Sequence, residues 1–252
     1  MSLLAAPALR LVERNYVAYK RNWIFFVTGF AEPVFYLLSI RVGVQELVGS
    51  VGGLEYAEFV GPGLLASSAM NAAIFDSTFQ VFFRLKYGRI YEGMLNTPLG
   101  PLDVAAGEMT WTALRGAVYS TAFLLIMLAM GLVSSWWAVL VVPAATLTGL
   151  AFSGFAMACS SFLRSWQDFD LIQLVVLPLF LLSTTFFPLD TYPRLLELVV
   201  QATPLYHAVA LVRDLCVGWV TWGSLWHVAY LVVLGAVGLR VTSRRFGGLL
   251  LG

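Results

Sequence analysis

"FFPLDTYPRLLELVVQATPLYH", Phe186 to His207, interrupts a chain that is otherwise strongly apolar. A long apolar run ends there, and Pro188, Pro193 and Pro204 follow, with Asp190, Arg194 and Glu197 among them. Apolar periodicity then resumes in pieces of about 12 residues, too short for a bilayer crossing, which takes about 20. Asp190 or Thr191 is placed to cap a helix with Pro193 in its first turn. Tyr192, Leu195, Leu196 and Val199 form its apolar face, and Arg194, Glu197 and Gln201 a polar one. Pro204 removes a backbone donor and breaks that helix. A second begins there, with Leu205, Val209, Val212 and Cys216 spaced 4, 3 and 4. The stretch reads as a helical hairpin over 188–217 that dips into one leaflet and returns. Such a segment requires membrane spans on both sides.

The composition supplies them. Of 252 residues, 60% are hydrophobic and 12% charged, against roughly 45–50% and about 25% in soluble domains. Six apolar windows are long enough to be spans: 23–45, 59–83, 104–132, 136–162, 170–187 and 224–243. Eleven basic residues fall on one side of these spans: Arg10, Arg14, Lys20 and Arg21, then Arg84, Lys86 and Arg89, then Arg164, and finally Arg240, Arg244 and Arg245. The other side has Arg194 and Arg213 alone. The positive-inside rule then puts both termini in the cytoplasm and the hairpin outside. It also makes Cys216 reachable from outside, unlike Cys159, which falls within a span. Residues 8–22 form an amphipathic interface helix, with Leu9, Val12, Tyr16, Tyr19 and Trp23 on its apolar face. The expected fold is therefore all-α, a single polytopic membrane domain over 1–252.

Several chemistries are excluded. Neither lysine, Lys20 nor Lys86, lies in a phosphate-binding G-x-x-x-x-G-K-[ST] loop. There is no H-E-x-x-H and no Cys/His spacing suited to a metal. The net charge of +1 gives no footprint for nucleic acid. His207 and His227 are twenty residues apart in different elements and read as satisfied or interfacial side chains. Gly149/Ser153 and Gly154/Ala158 are small pairs at helical spacing, suited to close helix approach in lipid.

Charges within spans are costly unless they meet water or a partner. Glu32, which precedes Pro33, and Asn71 and Asp76 on the second span are candidates for a polar translocation path. Glu108 and Arg115, seven apart and so on one face of the third span, read as candidates for structural pairing, for instance with each other through a partner helix, or for snorkelling near a span end. An ion- or proton-coupled secondary transporter using Glu32 and Asp76 is the alternative reading. The two halves of the chain show no obvious internal similarity of the kind many such transporters possess. Residues 84–98, "RLKYGRIYEGMLNTP", suit a short cytoplasmic helix closed by a tight turn.

Together, the interface helix, the six spans, "YEGMLNTPLGP" and "FFPLDTYPRLLELVVQATPLYHAVALVRDL" resemble the type-2 ABC export permeases, in the branch of nodulation-factor and daunorubicin-type exporters. The resemblance covers essentially the whole chain. It includes a P-L-x-H-x(5)-R pattern at Pro204, Leu205, His207 and Arg213. It implies a permease of a bacterial inner membrane without its own ATPase or cofactor. A separate ABC ATPase subunit would bind ATP and Mg, and a second permease protomer would complete the complex. It also implies that the 84–98 helix docks the ATPase, through Arg89, Tyr91, Glu92, Met94 and Leu95. Phe187, Pro188, Pro204, His207 and Arg213 would belong to an extracellular gate, and the cargo would be an amphipathic drug, glycolipid or lipid-linked saccharide.

Overall fold

The computed structural model describes residues 11–17, 33–88, 90–95, 99–163, 165 and 167–250. They are almost entirely helical. Helix α1 covers 11–17, and α2 runs through 33–48 with a π turn at Ile40–Val44. A two-stranded hairpin, β1 (Ser50–Val51) with β2 (Leu54–Glu55), follows. Its turn is Gly52–Gly53, both at positive φ, as the tight hairpin turn demands.

Helix α3 (Tyr56–Phe75) is the central element, buried along most of its length. It continues through a π turn, Asp76–Gln80, into Val81–Lys86. The short helix α4 (Ile90–Leu95) and the long α5 (Pro101–Ala129) come next. A 3-10 turn, Trp136–Leu140, leads into α6 (Val141–Ser160). Then come α7 (Asp168–Leu181), α8 (Arg194–Ala202), α9 (Pro204–Val217) and α10 (Trp222–Leu250).

Among the described residues, Pro101–Ala129, Trp136–Ser160 and Trp222–Gly248 are long and apolar enough to cross a membrane. The pair α8–α9 passes the same test only jointly, and it is bent by 83°. The outward faces are apolar: Leu114, Val118, Leu125 and Leu128 on α5, and Val232, Val233, Val237 and Val241 on α10. In water a surface of this kind would be an association site; in a bilayer it faces lipid. The core lies where α3, α5, α6 and α9 meet, around Val60, Leu65, Met70, Phe123 and Met127.

Two close approaches set the packing. A Cβ on Gly238 of α10 would lie 2.7 Å from the carbonyl carbon of Gly154 on α6. The small pair at Gly154 is thus a contact between backbones, as lipid-embedded helices favour, and Thr242 Oγ1 donates to Gly154 O across it at 3.0 Å. Gly149, expected to act likewise, has nothing among the described residues within 4 Å of where a Cβ would lie. A Cβ on Gly63 of α3 would lie 2.9 Å from Thr185 Cα, so α3 is pressed against the chain after α7.

Three expectations change here. The fifth apolar window, 170–187, does not form one helix: α7 stops at Leu181 and the chain turns irregular, with Thr184 at φ 60°. A 14-residue helix rises about 21 Å, short of a hydrocarbon core of about 30 Å. Neither Asp190 nor Thr191 caps α8; both lie in a 3-10 turn, and Pro193 is the capping position. On α1, Tyr16 of the expected apolar face is exposed together with Val17, while Leu11 and Asn15 are buried; this does not contradict an interface helix. An interface helix meets lipid with its apolar stripe and so turns polar atoms toward the bundle; residues 8–10 and 18–22 of that expectation lie outside the described residues. Finally, Cys216 is fully buried, beyond the reach of a polar reagent from either side.

Candidate functional site

A cavity of about 930 Å³ opens among α2, α3, α5 and α7. One wall is polar: Ser67, Ser68 and Asn71 from α3, Asp76, Thr78 and Gln80 from the π turn, and Arg115 and Tyr119 from α5. The facing wall from α7 carries Phe169, Val176, Leu177 and Phe180 alongside Asp170 and Gln173. The aromatic lining is continuous, with Phe79 stacked on Phe75 at 5.1 Å and against Phe169 at 5.0 Å.

The π turn gives the polar wall its form. A five-residue turn leaves one helical carbonyl without its usual partner, and Thr78 Oγ1 donates to Ile74 O at 2.6 Å. Asp76 is thereby turned toward α5, where it is ion-paired with Arg115. Gln80 Nε2 donates to Asp76 Oδ1 at 3.2 Å. The guanidinium of Arg115 sits 5.6 Å from the Tyr119 ring centroid. Of the path residues expected from sequence, Asn71 and Asp76 therefore line one cavity. Glu32 lies outside the described residues, although its neighbour Pro33 lines the same cavity.

Outside the cavity lining, the buried Glu108 gathers donors from three elements. Arg14 Nη2 and Asn15 Nδ2 of α1 each donate at 3.1 Å. Arg84, just after the π turn, pairs with Oε2, the oxygen that also accepts from Asn15. Tyr91 of α4 donates from its hydroxyl at 3.4 Å. A carboxylate can accept about four such bonds, so the buried charge is fully matched. Glu108 and Arg115, about 10 Å apart along the helix axis, make no direct pair; they are linked through the neighbouring helix, by Arg84, Gln80 and Asp76. Among the expected docking residues, Tyr91 is wholly buried in this cluster, and Met94 is half-buried with Arg14 Nη1 3.6 Å from its sulfur. Arg89 and the side chains of Glu92 and Leu95 lie outside the described residues.

At the opposite end, Arg213 of α9 is buried and, among the described residues, forms no ion pair; it spends its donors on carbonyls. Nε donates to Phe59 O at 3.2 Å and Nη2 to Thr184 O at 2.7 Å, and the guanidinium lies 3.9 Å from the Phe59 ring centroid. Tyr56 Oη reaches Phe186 O at 3.4 Å, and Thr185 shares hydroxyl contacts with Ser67 and Ser183 at 3.3 and 2.8 Å. Irregular backbone is tolerable at membrane depth when protein satisfies it in this way. His207 and His227 do meet, with Nδ1 atoms 2.7 Å apart, and His207 stacks on Tyr230 at 3.9 Å. The sequence separated them; the antiparallel return of α10 along α9 joins them. Pro204 is the first residue of α9, Phe187 is exposed and Pro188 is half-buried.

The chain is similar to known proteins over most of its length. Residues 8–216 match the family described as ABC-2 type transporter. The chain is 35% identical over 208 residues to Nodulation protein J of Rhizobium leguminosarum bv. trifolii, covering 81% of this chain and 79% of that one. It is 32% identical over 238 residues to Nodulation protein J of R. leguminosarum bv. viciae, covering 93% and 92%. Inner membrane transport permease YadH of Escherichia coli K12 is 26% identical over 171 residues, covering 66% and 65%. The extent of the family match and the identity to full-length relatives establish that this chain, a multi-pass membrane protein, belongs to the ABC-2 type transporter family.

Proposed function

We propose that the chain is the permease subunit of an ATP-driven exporter that moves an amphipathic substrate, such as a drug, glycolipid or lipid-linked saccharide, out across the bacterial inner membrane. The observation that carries this reading is the cavity, with Ser67, Asn71, Asp76 and Arg115 on one wall and Phe169, Val176 and Phe180 on the other. A pocket with one polar and one apolar face suits a molecule with a polar head and an apolar tail. In this reading the chain crosses the bilayer six times with both termini inside, and α8–α9 form a re-entrant hairpin at the outer exit. A separate ATPase subunit binds ATP and Mg and docks on α4, which Tyr91 anchors to the buried Glu108. A second permease protomer, identical or similar, completes the path. Phe187, Pro188, Pro204, His207 and Arg213 set the gate, the last by clamping the chain between α7 and α8 to α3. The ion pair of Asp76 with Arg115 makes Asp76 a poor carrier of a transported proton, since protonation would strand a buried arginine.

The test is reconstitution of the permease with its ATPase subunit in proteoliposomes loaded with a fluorescent glycolipid, followed by quenching from one side. Movement that requires ATP, and that falls about tenfold or more in Asp76→Asn, is expected. Movement driven by a proton gradient without ATP, or none with ATP, overturns the reading.

A further inference from the structure

The cavity and the short helix α4 are joined by an unbroken run of side-chain contacts. Tyr91 donates to Glu108, and Glu108 is paired with Arg84. Arg84 Nη2 donates to Gln80 Oε1 at 3.1 Å, and Gln80 Nε2 donates to Asp76 Oδ1 at 3.2 Å. Asp76 is paired with Arg115 in the cavity wall. Asp76, Gln80 and Arg84 recur at intervals of four, so they stand above one another on one helix face.

Gln80 decides what this run is for. The two buried carboxylates are each neutralised without it, Asp76 by Arg115 and Glu108 by Arg84 and Arg14. Two separate ion pairs would meet the cost of burying those charges. The Gln80 amide accepts on one side and donates on the other, which fixes its orientation between the two pairs and makes one network of them. It is also the last residue of the π turn. A π turn holds one more residue than an α turn, so this helix has a second register close by. A change at Asp76 thus has both a connected route and a deformable element leading toward α4.

We infer that Gln80 is a positioning residue that transmits the state of the Asp76–Arg115 pair in the cavity to helix α4, so that cargo in the cavity alters the surface offered to the ATPase. This rests on the permease reading above for what the two ends do. The transmission itself is a property of this chain alone.

It is tested on the full-length chain in lipid nanodiscs, without the ATPase. Gly93 is exposed, and a Cβ there meets nothing within 4 Å, so Gly93→Cys, with Cys159→Ser and Cys216→Ala, carries a nitroxide on α4. Asp76→Asn should shift the mobility of that label. The shift should be lost when Gln80→Leu, close in size but unable to hydrogen-bond, is added. Should Asp76→Asn fail to fold, as read by thermal unfolding, Arg115→Lys perturbs the same end. A spectrum unmoved by a folded variant at that end, or moved equally with and without Gln80, overturns the inference. Either result leaves the permease reading standing, because that reading is decided by ATP-dependent movement of the glycolipid.

Discussion

A Cβ on Gly238 would sit 2.7 Å from the Gly154 carbonyl carbon and 2.8 Å from Phe155 N, both rigid backbone atoms. Gly238→Ala should therefore force α6 and α10 apart and cost about 1–3 kcal/mol, the usual toll of overpacking. Gly149→Ala, with open space around it, should be neutral or stabilising by up to about 1 kcal/mol, because glycine is a poor residue inside a helix. Thermal unfolding of the two variants side by side checks this; equal effects would mean that the α6–α10 contact is not as tight as drawn. A charge gives the second residue-scale case. Glu108→Gln leaves Arg14 and Arg84 facing a neutral amide, and breaking a buried pair costs about 3–5 kcal/mol. Unfolding should shift down by that order, and a variant as stable as the parent would show that water already compensates the two arginines. The small residues and the intramembrane charges were visible in the sequence. Their partners were not, because residue spacing gives the face of a helix and says nothing about which other helix lies against it.

At the scale of elements, the bend between α8 and α9 has two causes. Thr203 is extended at ψ 141°, and its side chain accepts from Tyr206 N as the cap of α9. Pro204 occupies the first position of α9, where its missing donor costs nothing, and it also disfavours helical backbone at Thr203. Pro204→Ala by itself should therefore leave the 83° bend in place. Thr203→Ala with Pro204→Ala removes both cap and proline and should let the pieces run together. Spin labels at Leu195→Cys and Trp219→Cys, both exposed sites, report the result as a longer distance in the double variant only. A distance unchanged in both would assign the bend to packing, for which the bond from Tyr230 Oη to Ala202 O at 2.8 Å is the leading cause. The break itself was legible from Pro204. The early end of α7 was not: "LLSTTFF" is apolar enough to prolong a span, and hydropathy does not separate a helix in lipid from irregular chain enclosed by protein. The hairpin at Gly52–Gly53 did carry its signal, a glycine pair between two short runs, but strands of two residues leave no periodicity to support it.

At the scale of the whole molecule, the asymmetry of basic residues is the argument for orientation. Eleven basic residues gather at the ends of the chain and in the α3–α5 and α6–α7 connections, against Arg194 and Arg213 on the other side. The fold trims both sides of that count: Arg213 is buried against carbonyls and Arg84 against Glu108, while the exposed Arg41 reaches Met130 O at the far end of α5. Exposed basic loop residues favour the cytoplasmic side, so inward termini remain the expectation, carried by the sequence count. The natural cysteines cannot report it, since Cys216 is buried and Cys159 lies within α6. Two exposed positions at opposite ends can: Gly93 on α4 and Thr221 in the α9–α10 connection. With both native cysteines replaced, a membrane-impermeant maleimide applied to intact cells should label Thr221→Cys and not Gly93→Cys. Permeabilising the cells should expose Gly93→Cys as well. The reverse pattern would turn the molecule over. It would place α4 outside, away from any cytoplasmic ATPase, and would thereby remove the docking role proposed for that helix while leaving family membership untouched.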